Sequence, residues 1–340
     1  MSSTDAAPET PQAPAASSSM KRSGRRLGDS VFSILSIGSG VLIFVTLALV
    51  AIFLTSESMP AIRRSKELGF LFGSEDRSFE LLAGVGPFVY GTILAALIAL
   101  VVAIPISLGI ALFISHYAPR RMAAGLGYAI DLLAAVPSVV YGLWGGLWLV
   151  PRLEPLYVFL NSTLVWPSWV PLVPAGEAII PLFAGDPTAP MRNLASASVV
   201  LAVMILPIIT AMSREVFLQV PRLQEEAALA LGATRFEVVK TVVLPFGRSG
   251  VVAASMLGLG RALGETMAVL MILAPGATYS WHILVVGQHN TIASNIAGKQ
   301  AEASGPDMSY LIYTGLVLFV LTFLINALAR WIVSRTTVKA

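Results

Sequence analysis

The chain has no cysteine, three histidines and very little charge: of its 340 residues only 12% are Asp, Glu, Lys or Arg. Without a thiol there is no disulfide framework, no thiolate metal site and no cysteine nucleophile. Soluble domains carry roughly 25% charged residues. Half that fraction, beside 56% hydrophobic residues and a mean hydropathy of +0.79, excludes the soluble globular class. An all-α polytopic membrane protein is what remains. A further absence is the phosphate-cradling run G-x4-G-K-[ST], which occurs nowhere in the chain. No nucleotide-hydrolysing site of that kind is expected in the chain, which is expected not to be an enzyme itself.

What the chain does have is long apolar runs. Residues 1–28 lack periodicity and end in Lys21, Arg22, Arg25 and Arg26, which predicts a disordered cytoplasmic tail ahead of a membrane domain over 29–340. Apolar runs predict six spans, at about 31–55, 87–115, 123–150, 195–212, 249–274 and 310–333. The first is too long for a signal peptide, and Pro105 is expected to kink the second. Of the 22 Lys and Arg, fourteen fall in the tail, in the short connections that share its side, or at the C-terminal end; seven fall in the loops 56–86, 151–194 and 276–308, and Arg261 lies within a span. That bias puts both termini and the segment 214–248 in the cytoplasm and the three longer loops outside. Loop 151–194 is apolar, yet rich in proline and bearing Trp166 and Trp169. This predicts short interfacial or re-entrant pieces, serving either as a landing surface for a solute-binding protein or as packing.

Within the cytoplasmic segment, Pro221 fits a helix start. Glu225, Glu226, Ala227 and Ala228 lie in a run of strong helix formers, and Gly232 is a natural stop. Thr234 and Glu237 form a capping box that opens a second short helix with an expected apolar face of Phe236, Val239 and Val243. Pro245 is expected to end it at Leu244. Three ionisable residues fall inside spans: Asp131, Arg261 and Glu265. A charge at bilayer depth costs about 2.5–3.5 kcal/mol on insertion scales, so each is a functional candidate. Glu265 is expected one turn beyond Arg261 on the same face, among Gly258, Gly260 and Gly264. The two could simply neutralise each other. Alternatively, Arg261 attracts a tetrahedral oxyanion, and Glu265 accepts the O–H of hydrogen phosphate while repelling sulfate. Asp131 could act likewise or cap nearby backbone.

Two motifs carry a resemblance. Glu226-Ala227-Ala228, Gly232 and Val242-Val243-Leu244-Pro245 are spaced as in the EAA loop (EAA-x3-G-x9-I-x-LP) of ABC importer permeases, with Val242 in place of Ile. The runs 260–268 (GRALGETMA) and 131–144 (DLLAAVPSVVYGLW) resemble the PstC family of phosphate ABC importer permeases. The resemblance implies a type I importer transmembrane domain in a bacterial cytoplasmic membrane. Glu225, Glu226, Ala227, Ala228, Gly232, Leu244 and Pro245 would couple to the ATPase, and Arg261 and Glu265 would serve translocation. It also implies a PstA-like second permease subunit, two PstB-like ATPase subunits, an extracytoplasmic phosphate-binding protein and surrounding lipid. No nucleic acid is implied. No cofactor or metal would bind this chain, ATP and Mg belonging to the ATPase. The rivals are an ATP-independent transporter or channel, a sulfate or molybdate importer, and a membrane scaffold that moves nothing.

Overall fold

A computed structural model describes residues 27–67, 85–163, 181–183 and 190–337. The expected tail lies outside them up to residue 26, its last two residues opening α1, and most of the proline-rich stretch after residue 163 lies outside them too. The described elements are helical: α1 (Leu27–Glu67), α2 (Val85–Leu112), α3 (Arg120–Ala134), α4 (Ser138–Trp144), α5 (Val150–Thr163), α6 (Leu194–Leu218), α7 (Arg222–Ala230), α8 (Arg235–Val238), α9 (Leu244–Leu263), α10 (Met267–Ile272), α11 (Ile292–Lys299) and α12 (Pro306–Thr337). Among the described residues, five helices are long and apolar enough to cross a membrane, or six if the bent pair α3 and α4–α5 counts as one.

The centre is α6. Its side chains are mostly buried, and its main neighbour, α2, meets it through Ala95, Ala96, Ala99 and Ala103. Small residues are what close helix approach requires where lipid removes most of the hydrophobic drive. Ser107 of α2 also donates to the Leu206 carbonyl of α6 at 3.0 Å. On another flank, α9 presents Gly247, Gly250 and Gly258 to Phe217, Val216 and Ile209, so that a Cβ at any of them would press into α6.

The structure corrects several expected boundaries. Helix α1 runs on to Glu67 through Pro60, so the loop expected from 56 begins later. The third span is broken, with α3 and the helix after Pro137 meeting at 93°. Residues 151–163 are helical through Pro151 and Pro155, and the helix also continues through Pro245. For Pro151 and Pro245 the cause is common. A π-helical turn precedes each proline, Gly145–Leu149 before Pro151 and Val239–Val243 before Pro245. The wider i→i−5 bonding places the proline in the opening turn of a fresh α-helical register, where its missing N–H costs nothing. A third π-turn, Phe113–Tyr117, precedes Pro119, and there the chain does turn away. Finally, the fifth span stops at Leu263 and resumes as α10, and the loop 276–308 contains α11, whose first turn is buried.

That loop is held to α2. The Thr92 hydroxyl accepts the Ile292 N–H at 3.0 Å, and the Gly91 Cα lies against the Asn290 carbonyl, in space a Cβ would fill. Gly91→Ala should therefore cost about 1–3 kcal/mol by overpacking, visible as a lower Tm in detergent and faster amide exchange at 290–292. Nearby, His289 is buried and stacks on Tyr90. Its Nε2–H donates to the Ser280 carbonyl at 2.8 Å, while Nδ1 has no partner among the described residues. Burial, and less strongly His282, hold its pKa below the ordinary 6.5 against the raising pull of that hydrogen bond. The folded loop thus binds fewer protons than the unfolded one. Its stability is intact above pH 6.5 and should fall as pH drops below it, while a His289→Phe variant should show a flatter profile in exchange measurements.

Candidate functional site

The two helix breaks face each other. Helix α4, which starts after Pro137, packs on α10, which starts after Glu265, closely enough that a Cβ on Gly142 would sit 2.7 Å from the Ala268 Cα. The Tyr141 hydroxyl crosses the first break to donate to the Leu133 carbonyl at 2.8 Å. Residues 133–144 and 260–268 of the two runs singled out in the sequence therefore form one locus.

Arg261 occupies the last turn of α9, where a cation complements the negative end of the helix. It is partly buried, acts electrostatically on the Tyr141 hydroxyl, and has no ion pair or hydrogen bond among the described residues. Glu265 is 8% exposed. Its Oε1 accepts the Ala268 N–H at 3.3 Å, capping the start of α10, and its Oε2 takes no donor among the described residues. The expected i,i+4 relation between the two is absent. The helix ends at Leu263, Gly264 is its cap, and Glu265 leaves the face that Arg261 occupies. Mutual neutralisation is thereby removed as the reason for either charge, since no salt bridge joins them among the described residues. At its other end α10 is held by Arg192, whose Nε and Nη2 each donate at 3.3 Å to the Ile272 and Met271 carbonyls. Asn326 of α12 reaches the same region, its Oδ1 3.9 Å from where a Cβ on Gly260 would lie.

Asp131 is not part of this locus. It is exposed on α3 and lines a separate cavity of about 400 Å³ with Tyr128 and Arg214. It caps no backbone group among the described residues. Sequence reasoning missed Arg214 because it sits at the end of an apolar run and looks like a flanking cation. It missed Tyr141 because a tyrosine in a span is ordinary; only its place four residues after Pro137 marks it.

The EAA segment folds as expected in most respects. Helix α7 starts after Pro221, and Gly232 adopts φ +88°, a conformation that strains any residue with a Cβ. Thr234 and Glu237 form the capping box, the Glu237 carboxylate accepting the Thr234 N–H at 2.7 Å. These bonds hold the Glu237 carboxyl below its usual range. Glu226, Ala227 and Gly232 are exposed, and Ala228 and Leu244 are partly so. Val239 and Val243 are buried, but Phe236 is 68% exposed, contrary to the expected face, because the π-turn that begins at Val239 rotates the two valines away from it. With Leu223 and Leu231, also exposed, it leaves apolar side chains uncovered on this segment. Glu225 is turned inward, 3.5 Å from His116 Nε2.

The model of the family described as "binding-protein-dependent transport system inner membrane component" matches residues 13–338. The chain belongs to that family. As a member of this inner-membrane transport family it is a permease subunit and not an enzyme. The "Phosphate transport system permease protein PstC 2" of Mycobacterium tuberculosis is 47% identical over 308 residues, covering 90% of this chain and 91% of that one. The PstC protein of Xylella fastidiosa (strain Temecula1) is 39% identical over 306 residues, covering 88% and 90%. Among solved structures, a bacterial alginate ABC transporter, in complex with its alginate-pentasaccharide-bound periplasmic protein, superposes with a TM-score of 0.52 over 92% of this chain and 98% of that one, at 15% identity. That likeness shows the fold alone.

In this inner-membrane family member the capping box gives a direct test of the exposed segment. Thr234→Ala removes the hydroxyl that accepts the Glu237 N–H and leaves the reciprocal bond from the Thr234 N–H to the Glu237 carboxylate, so α8 should lose about 1 kcal/mol. Amide exchange at 234–238 should accelerate while the helices α2 and α6 are unaffected.

Proposed function

We propose that this chain is the permease subunit of an ATP-driven phosphate importer, forming the translocation pathway and working by alternating access. The observation that carries the reading is an arginine with no protein partner among the described residues, at the end of a helix that stops inside a span, beside a buried carboxylate that caps the next helix. Broken helices with compensated ends are how membrane transporters build solute sites at depth. The names of the relatives support phosphate as the solute.

Arg261 supplies the attraction. Its planar guanidinium can donate two parallel hydrogen bonds to a tetrahedral oxyanion. Glu265 supplies the discrimination, since Oε2 can accept the O–H of hydrogen phosphate, whereas sulfate at neutral pH offers only lone pairs and charge. Phosphate would be handed over by an extracytoplasmic phosphate-binding protein and pass between this subunit and a PstA-like partner. Two PstB-like ATPase subunits would bind and hydrolyse ATP. With both termini and the EAA segment in the cytoplasm, α7, Gly232 and α8 would dock on one ATPase. Exposed Leu223 and Leu231, which lie outside the candidate spans, and Phe236, in the first turn of the helix that follows, fit a protein groove better than water.

Phosphate uptake by the assembled complex, with sulfate as competitor, tests the site. Arg261→Ala should abolish uptake. Glu265→Gln should lower phosphate selectivity roughly 10–100-fold, the loss of one charge-assisted hydrogen bond, and let sulfate inhibit. Unchanged rate and selectivity in Glu265→Gln would leave it only its capping role at Ala268. Phosphate flux through the purified chain without any ATPase would favour the secondary-transporter rival.

A further inference from the structure

We infer that the cavity between α3 and α6 is a second phosphate station, which takes hydrogen phosphate after it has left the helix break and before it is released at the EAA end of the chain. The inference rests on the reading that this chain conducts phosphate. Three functional groups line the cavity: the guanidinium of Arg214, the phenol of Tyr128 and the carboxylate of Asp131. Arg214 is held in place. Its Nη2 pairs with Glu215 Oε1 at 2.6 Å, and its Nη1 lies on the Gly127 Cα, in space a Cβ would occupy. Its Nε–H is buried and has no acceptor among the described residues. Asp131 has neither ion pair nor hydrogen bond among the described residues, so two opposite charges share one cavity without meeting.

That donor and acceptor set matches the one at the helix break: a guanidinium with an unmet N–H, and a carboxylate free to accept. An ion that bridges them must accept from one and donate to the other, which hydrogen phosphate does and sulfate does not. The phosphate of a phosphodiester lipid has no O–H of its own and cannot by itself meet both charges, so the free ion is favoured over lipid. The position follows from the fold. Leu133, two residues beyond Asp131, accepts the Tyr141 hydroxyl, and Tyr141 lies in the field of Arg261. From there α3 leads back toward Arg120, and α6 ends at Leu218, three residues before the helix start of the EAA segment. Glu215 already offsets part of the Arg214 charge, which suits a station that must let its ion go.

The absence of cysteine makes the test clean. Ala124 lines the cavity and is exposed. In the assembled complex, Ala124→Cys is labelled with a maleimide supplied on the ATPase side, and the rate is read on this chain alone. Inorganic phosphate should slow labelling several-fold, and sulfate at equal ionic strength should not. Arg214→Gln and Asp131→Asn, each combined with Ala124→Cys, should weaken the protection. Arg261→Ala should keep it while losing uptake, so failure of the station and failure of the pathway reading are told apart. Absence of protection, equal protection by sulfate, or full protection in both variants overturns the inference. So does protection produced by phosphatidylglycerol without added phosphate, which would mark a headgroup site.

Discussion

Every backbone N–H and C=O at membrane depth must find a partner inside the protein, and the fold is organised around the two places where its helices stop obeying that rule by themselves. At the first break, Tyr141 returns a hydroxyl to the Leu133 carbonyl. At the second, Glu265 caps the start of α10 and Arg192 holds the carbonyls at its end. A helix of six residues thus carries an anion at its positive end and a cation at its negative end, the arrangement its dipole favours. The groups that make the break tolerable are also the ones that charge the site. Structure and chemistry are not separable at Glu265: removing its charge weakens a cap as well as an acceptor.

Such a break needs a stiff surround. Helix α6 provides it, buried along most of its length and approached by alanines of α2 and glycines of α9. Where backbones come this close, dispersion and packing set the geometry, and a single added methyl has nowhere to go. The breaks are therefore held from behind by α2, α6 and α9, while α4 and α10 meet each other at the front.

The sequence made the spans, the EAA segment, its capping box and the left-handed glycine legible because each rests on local chemistry: hydropathy, cap side chains and a φ that only glycine adopts freely. It also singled out Arg261 and Glu265 through the cost of charge at depth. The break between them was hidden, since Gly264 and Thr266 interrupt no apolar run and glycine is common in membrane helices. Pro151 and Pro245 misled for the opposite reason. Proline is a stop signal in an α-helix, but a π-turn just before it removes the objection, and π-turns depend on tertiary packing that leaves no residue signature. Phe236 misled in the same way, through the turn that follows it. Arg214 was invisible because what marks it is an orphaned Nε–H, a property of the fold alone.

One consequence concerns how force would reach the site. From Arg235 to Leu263 the chain is a continuous helix of 29 residues, about 43 Å long at 1.5 Å per residue. The capping box stands at one end and Arg261 in the last turn of the other. A displacement of the EAA segment is therefore delivered to the arginine by one rigid rod rather than through a chain of side-chain contacts. The rod has one soft place, the π-turn Val239–Val243, and it lies at the near end, where Val239 and Val243 pack against Phe217 of α6 and Val220 just beyond it. Bending there would let the rod shift along its glycine-lined contact with α6. Arg261 would move relative to Glu265 without either changing its own local partners, because the break at Gly264 lies between them. The break would make the proposed anion site adjustable as well as charged. A continuous fifth span would have carried both charges together, leaving nothing at the site for ATP to change.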